Sequence, residues 1–78
     1  VEAMKRAGDI VANTKMVLVL EPLNHLVDHA GYHVMLSDHG ADLIRKVNHP
    51  NVKLLFDMYH QQISEGFLIG HIKKHWDT

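Results

Sequence analysis

The stretch Val17-Leu18-Val19-Leu20-Glu21-Pro22-Leu23-Asn24 constrains the fold more than any other part of the chain. Four apolar residues, two of them β-branched, run without alternation and stop at a carboxylate. A short unbroken apolar run suits a strand buried on both faces, as in a parallel sheet. Glu21 stands at the C-terminal end of that strand. Pro22, with no N–H to donate, blocks its continuation into a ladder or a helix. In α/β folds this edge of the sheet is where reactive side chains collect.

The chain has 78 residues, which is one small domain and a marginal core by itself. It has no cysteine, so neither a disulfide framework nor a thiolate metal site is available. The net charge of −1 and the lack of a basic block argue against a nucleic-acid partner. No apolar run approaches the ~20 residues that span a bilayer, and no signal-peptide pattern opens the chain. No membrane association is expected, and the cytoplasm is the expected location. Eight histidines are spread along the chain rather than gathered in a tract.

Hydrophobic spacing orders the elements. Val1, Met4, Ala7 or Gly8, and Val11 share one face of a helix running to about Ala12. The chain opens inside this pattern, without an N-cap or initiator Met, which suggests a truncated start. Met16–Leu20 is the first strand. Pro22 to Leu36, with Asn24, Asp28 and Gly31, is a long irregular connection, and such loops are usually functional. Ser37 or Asp38 is placed to N-cap a helix with Ala41, Ile44 and Val47 as its buried stripe. Pro50 ends that helix. Val52–Phe56 is the second strand, and it too runs into an acid, Asp57. Beyond Glu65-Gly66 a last helix is expected, with Leu68, Ile72 and Trp76 as its core stripe. The order helix, strand, helix, strand, helix implies an α/β fold with two adjacent parallel strands.

Adjacent parallel strands lie about 4.8 Å apart, so Glu21 and Asp57 can converge on one ion or substrate. Asp57 and His60 form an Asp-x-x-His unit just past a strand end. Two carboxylates and an imidazole suit Mg²⁺, Mn²⁺, Co²⁺ or Zn²⁺, and Glu21 also suits proton transfer. The plain alternatives are an N-cap for Asp57 and a surface loop position for His60. His71 and His75 are four apart, a zinc-capable spacing, but with no third ligand evident they read as solvent-facing. His25 and His29 repeat the spacing inside a loop. There is no Gly-rich phosphate loop and no nucleophile elbow.

Four segments together carry a family resemblance: Glu21-Pro22-Leu23-Asn24; Val27-Asp28-His29-x-Gly31-Tyr32; Val52-Lys53-Leu54-Leu55-Phe56-Asp57-x-Tyr59-His60-x-Gln62; and Glu65-Gly66-x-Leu68-Ile69. In this order and separation they resemble the hydroxypyruvate isomerase family, within the xylose-isomerase-like TIM barrels. The resemblance runs from Met16 almost to the end of the chain. It implies a partial (β/α)8 barrel, with residues 1–78 as a single partial domain from its central portion. It implies that Glu21 is a catalytic acid/base residue and metal ligand, and that Asp57 is a second metal ligand. His60, Asn24 and Gln62 would bind substrate. The implied reaction is aldose–ketose isomerisation through an ene-diol, with a hydroxy-keto acid or sugar as substrate and a divalent ion as cofactor. Hydroxypyruvate would become tartronate semialdehyde.

The chain also departs from the family pattern. A complete barrel needs about 250 residues. The further ligand and the second catalytic glutamate would come from later strands, and Glu65 does not match that glutamate by motif. Phe67 stands where Asn or Asp is usual. The leading expectation is therefore an internal fragment, inactive alone. The alternatives are a ketose 3-epimerase or endonuclease-IV-like barrel fragment, and a non-catalytic half-barrel that self-associates through its open strand edges.

Overall fold

Leu18–Leu20 (β1) and Val52–Leu54 (β2) form a two-stranded parallel sheet, with Leu18 opposite Val52, Val19 opposite Lys53 and Leu20 opposite Leu54. This is seen in a computed structural model that describes Val1–Thr78. Glu2–Val11 (α1) precedes β1, and Ser37–Val47 (α2) crosses from β1 to β2. Met58–Ser64 (α3) and Leu68–Lys74 (α4) follow β2. Helices alternate with adjacent parallel strands, as the hydrophobic spacing implies. The segment after β2 holds two short helices where one was expected. Gly66, at φ 68°, makes the break between them.

The core lies between α2 and the sheet. Ile44, Val47 and Val52 are buried together, with Met4, Leu18, Leu20 and Leu54 packed against them. Ala41, Ile44 and Val47 form the buried stripe of α2 at the expected spacing. Gly40 lets this helix approach closely, because a Cβ there would stand 3.0 Å from the rigid Pro22 ring and 2.7 Å from Leu54 Cδ1. Asn48, left-handed at φ 48°, ends α2 ahead of Pro50. Asn51 then ties the layers, its Nδ2 donating to Val11 O at 3.3 Å and Met16 O at 2.8 Å.

Several local expectations are corrected. β1 is packed on one face only: Leu18 and Leu20 meet the core, whereas Val19 is 53% exposed and Val17 is open beside it. The bare face is the one turned away from α2. In the partial barrel that the resemblance implies, this face would line the barrel interior, which accounts for an apolar run without alternation. Neither Ser37 nor Asp38 caps α2 through its side chain. Leu36 is the N-cap residue, and Glu65 supplies the cap from a distance, its Oε2 accepting from Ser37 N at 3.0 Å.

Trp76 does not extend the α4 stripe. The helix ends at Lys74 and the indole is 83% exposed. His75 is buried instead, donating through Nε2 to Asp38 Oδ1 at 2.6 Å, while Lys74 Nζ donates to Asp38 Oδ2 at 3.1 Å. A charged clamp between α2 and α4 thus does what an apolar stripe was expected to do. Phe67 is exposed, at φ 46°, and is the N-cap residue of α4 without a side-chain cap bond. Asn or Asp, the residues expected there from the resemblance, would tolerate that backbone and accept from the first helical turn.

Candidate active site

Glu21 immediately follows β1, and Asp57 lies three residues beyond the last paired residue of β2. The two acids are therefore out of register along the strands. Leu55 N still donates to Leu20 O at 2.9 Å, and the chain then turns at Phe56 into α3. That turn carries Asp57 back toward Glu21. His60, one turn into α3, completes the cluster. One donor atom from each of Glu21, Asp57 and His60 lies within 4.8 Å of the others.

Asp57 does two things at once. Its Oδ1 caps α3 by accepting from Tyr59 N at 3.0 Å. Its Oδ2 remains on the rim, 3.7 Å from His60 Nε2. The N-cap reading and the site reading are thus compatible, because a carboxylate has two oxygens. The Glu21 side chain is half-buried and makes no hydrogen bond within the chain; only its carbonyl is engaged, by the Tyr32 hydroxyl at 3.3 Å. It is free to meet a ligand.

Asn24 is the most informative residue at this edge. It is fully buried, at 0% exposure. Its Oδ1 accepts from Val27 N at 2.9 Å and from Asp28 N at 3.3 Å, which fixes the amide orientation. Its Nδ2 therefore donates, to Asp28 Oδ2 at 2.9 Å and to His60 Nδ1 at 2.8 Å. The Asn24 backbone N–H points at the same His60 Nδ1, at 3.3 Å. Two donors on Nδ1 leave it no proton of its own, so neutral His60 carries its proton on Nε2, facing Asp57 and the rim. The imidazole is arranged as a hydrogen-bond donor to a ligand oxygen. Glu21 and Asp57 are then the better-placed ligands for an ion.

Sequence reasoning missed Asp28 and Tyr59 as supports. Tyr59 OH donates to Asp28 Oδ2 at 2.6 Å, and His29 stacks at a tilt on His60 with ring centres 5.3 Å apart. The signal was present in the Asp28-His29 and Asp57-x-Tyr59-His60 segments, but nothing in the sequence places them in contact. Gln62 is exposed on α3 and makes no hydrogen bond to Glu21, Asn24, Asp57 or His60. Its neighbour Gln61 is buried and donates to Met35 O at 3.0 Å and Glu65 Oε2 at 2.7 Å. Glu65 is thereby committed to Gln61 and the start of α2, away from the rim.

The hydrogen bonds from Asn24 and then Tyr59 hold the Asp28 carboxyl below its ordinary value of 3.8, with His29 and His60 adding to the effect. The same bond pushes the Tyr59 hydroxyl up from 10.0. Asp38 is lowered likewise, by His75 first and then Lys74. A lowered folded value means that the unfolded chain takes up protons first as pH falls. These ties therefore act in full above about pH 3.8 and are lost as pH drops through the lowered values. Urea midpoints followed from neutral pH into that range should fall, and Asp28→Asn should flatten part of the fall. A midpoint that holds steady to well below 3.8 would contradict the assignment.

Comparison with known proteins fixes the fold to which this edge belongs. The profile of the xylose isomerase-like TIM barrel family matches residues 1–77. The chain belongs to that family. A Xenopus laevis protein provisionally named a hydroxypyruvate isomerase is 38% identical over 76 residues, covering 97% of this chain and 28% of that one. The hydroxypyruvate isomerase of Escherichia coli K12 is 34% identical over 68 residues, covering 87% of this chain and 26% of its own. A crystal structure from Brucella melitensis, titled as an AP endonuclease of family 2, superposes with a TM-score of 0.86 at 34% identity, over 94% of this chain and 28% of that one. The chain thus spans about a quarter of the length of the proteins it matches. The two strands are adjacent barrel strands, and the Glu21–Asp57 edge is at their C-terminal ends, where TIM barrels carry their chemistry. No helix is long and apolar enough to cross a membrane.

Proposed function

We propose that this chain supplies one corner of the active site of a hydroxypyruvate-isomerase-type enzyme, acting on a small hydroxy-keto acid. The observation that carries the reading is the Glu21–Asp57–His60 cluster at the C-terminal ends of two adjacent parallel strands. Glu21 removes a proton from the carbon beside the substrate carbonyl. His60, its Nε2–H held outward by Asn24, donates to the oxygen on which negative charge grows. Returning the proton to the neighbouring carbon turns the ketose arrangement into the aldose one. Glu65 is unsuited to that return step, because it lies outside the Glu21–Asp57–His60 cluster, with Oε2 on Ser37 and Gln61 and Oε1 turned to His71. The second carboxylate therefore lies outside this cluster.

The donor set fits a divalent ion: two carboxylates converge with free oxygens, and the imidazole beside them is oriented as a proton donor. Glu21 and Asp57 would hold it. When bound, such an ion would supply positive charge beside the developing ene-diolate oxygens. Mn²⁺, Mg²⁺, Co²⁺ and Zn²⁺ all tolerate oxygen-rich sites.

The relatives include a 2-oxo-tetronate isomerase from Cupriavidus necator at 32% identity and a D-psicose 3-epimerase from Ruminiclostridium cellulolyticum at 27%. The test is a substrate panel on the protein at its natural full length, after EDTA treatment and with each ion restored. Interconversion of hydroxypyruvate and tartronate semialdehyde is expected, and turnover of 2-oxo-tetronate alone would move the substrate while keeping the chemistry. Epimerisation without carbonyl transfer, or cleavage of abasic DNA, would overturn the proposal.

A further inference from the structure

A second cluster of ligand-type side chains lies away from the sheet edge, in the helical layer. Asp38 is in the first turn of α2, and His71 and His75 are one turn apart at the C-terminal end of α4. One donor atom from each lies within 4.8 Å of the others. Sequence spacing had shown only the histidine pair; the fold brings up the third ligand from 33 residues away.

We infer that Asp38, His71 and His75 form a transition-metal site that fastens α4 to α2, separate from the Glu21–Asp57 edge. Two imidazoles and one carboxylate select Zn²⁺, Co²⁺, Ni²⁺ or Cu²⁺ over Mg²⁺ or Ca²⁺. Metal–donor bonds of about 2.0–2.1 Å set donor atoms roughly 3–3.5 Å apart. Asp38 Oδ1 and His75 Nε2, now 2.6 Å apart, need to part by less than about 1 Å.

The surroundings are arranged for this. Lys74 occupies Asp38 Oδ2 and leaves Oδ1 for the ion. Glu65, with its side chain only 9% exposed, aims Oε1 at His71 Nε2 from 3.4 Å, and that oxygen has no other partner. It serves as a fourth ligand if Nε2 meets the ion, or as acceptor of Nε2–H if Nδ1 does. His75 must carry its proton on Nδ1 to bind through Nε2. Unlike His60, whose Nδ1 meets two donors from buried Asn24, His75 Nδ1 faces only half-exposed Arg45 at 3.5 Å. Arg45 already shares Asp77 at 3.4 Å and can withdraw to it.

The bound ion would also secure the segment after α4 against the sheet, since Thr78 O accepts from Leu54 N of β2 at 2.9 Å. Ligands that bind only the folded state raise its stability by mass action.

The test uses Co²⁺ and Zn²⁺ with the full-length protein. Co²⁺ gives a visible spectrum that reports imidazole ligation, and Zn²⁺ gives stoichiometry and a melting shift. In the double variant Glu21→Gln/Asp57→Asn, one equivalent of metal and the Co²⁺ spectrum should persist. In His71→Ala, that equivalent should weaken by about 10- to 100-fold or more, with isomerase turnover retained. Asp38→Asn, which preserves shape, should weaken it similarly and remove the Zn²⁺-dependent melting shift. If His71→Ala and Asp38→Asn bind as the parent does, or if all metal is lost with Glu21 and Asp57, the cluster is a hydrogen-bonded clamp and the inference fails. A parent protein that binds metal at this site but does not interconvert hydroxypyruvate and tartronate semialdehyde would count against the proposed function alone.

Discussion

In the full-length protein, Glu21→Gln should lower the proposed isomerase turnover by about 10²–10⁴-fold, the usual yield of a positioned general base. That corresponds to about 3–5.5 kcal/mol of transition-state stabilisation. The fold should be unaffected, because the Glu21 side chain is half-buried and bonded to nothing in the chain. Asp57→Asn separates ion binding from capping. Asparagine caps a helix as well as aspartate does, so α3 should persist while the rim loses a formal charge. Turnover and ion affinity should both fall, with an unchanged melting curve. Turnover by Glu21→Gln within a few-fold of the parent would remove the assigned role.

Asn24→Ala is expected to be the most damaging substitution for stability, at about 2–4 kcal/mol. It strips the acceptor from Val27 N and Asp28 N and the donor from Asp28 and His60. Each buried polar group left unpaired costs about 1–3 kcal/mol. The two loop amides recover part of that by hydration, since Val27 and Asp28 are exposed. Domains of this size have only about 5–15 kcal/mol in total, so denaturant midpoints will show it plainly. Asn24→Asp is the sharper probe. It keeps the acceptor oxygen but turns a carboxylate oxygen toward Asp28 and His60 Nδ1. The His60 proton should then move to Nδ1, which ¹⁵N chemical shifts of the ring will report. If the proton stays on Nε2 in that variant, Asn24 does not set the tautomer.

The same residue shows what kind of information a sequence holds. Glu21, Asp57 and His60 were legible because each follows an apolar strand at short range, and strand ends are local features. The α2 stripe was legible for the same reason, as three- and four-residue spacing is a property of one helix. Asn24 was visible as a member of a motif, but its contact with His60 joins residues 36 apart. Gln61 and Gln62 show the limit within a single helix: the buried one is Gln61, and α3 is too short to display a periodic stripe. Trp76 failed as a core residue because the helix expected to carry it stops at Lys74, at a point spacing alone does not mark.

The sequence by itself determined the alternation of helices and strands, the parallel sheet and the two acids at its C-terminal edge. These follow from apolar periodicity, from proline and glycine, and from the geometry of crossover connections. Only the tertiary structure decided which tautomer His60 holds, which carboxylate caps α2, and that Asp38 meets His71 and His75. Those outcomes depend on the direction and depth of side chains from distant segments. Glu21 began as an acid closing an apolar run, and packing gave it Asp57 across the sheet and an imidazole turned toward it by a buried amide.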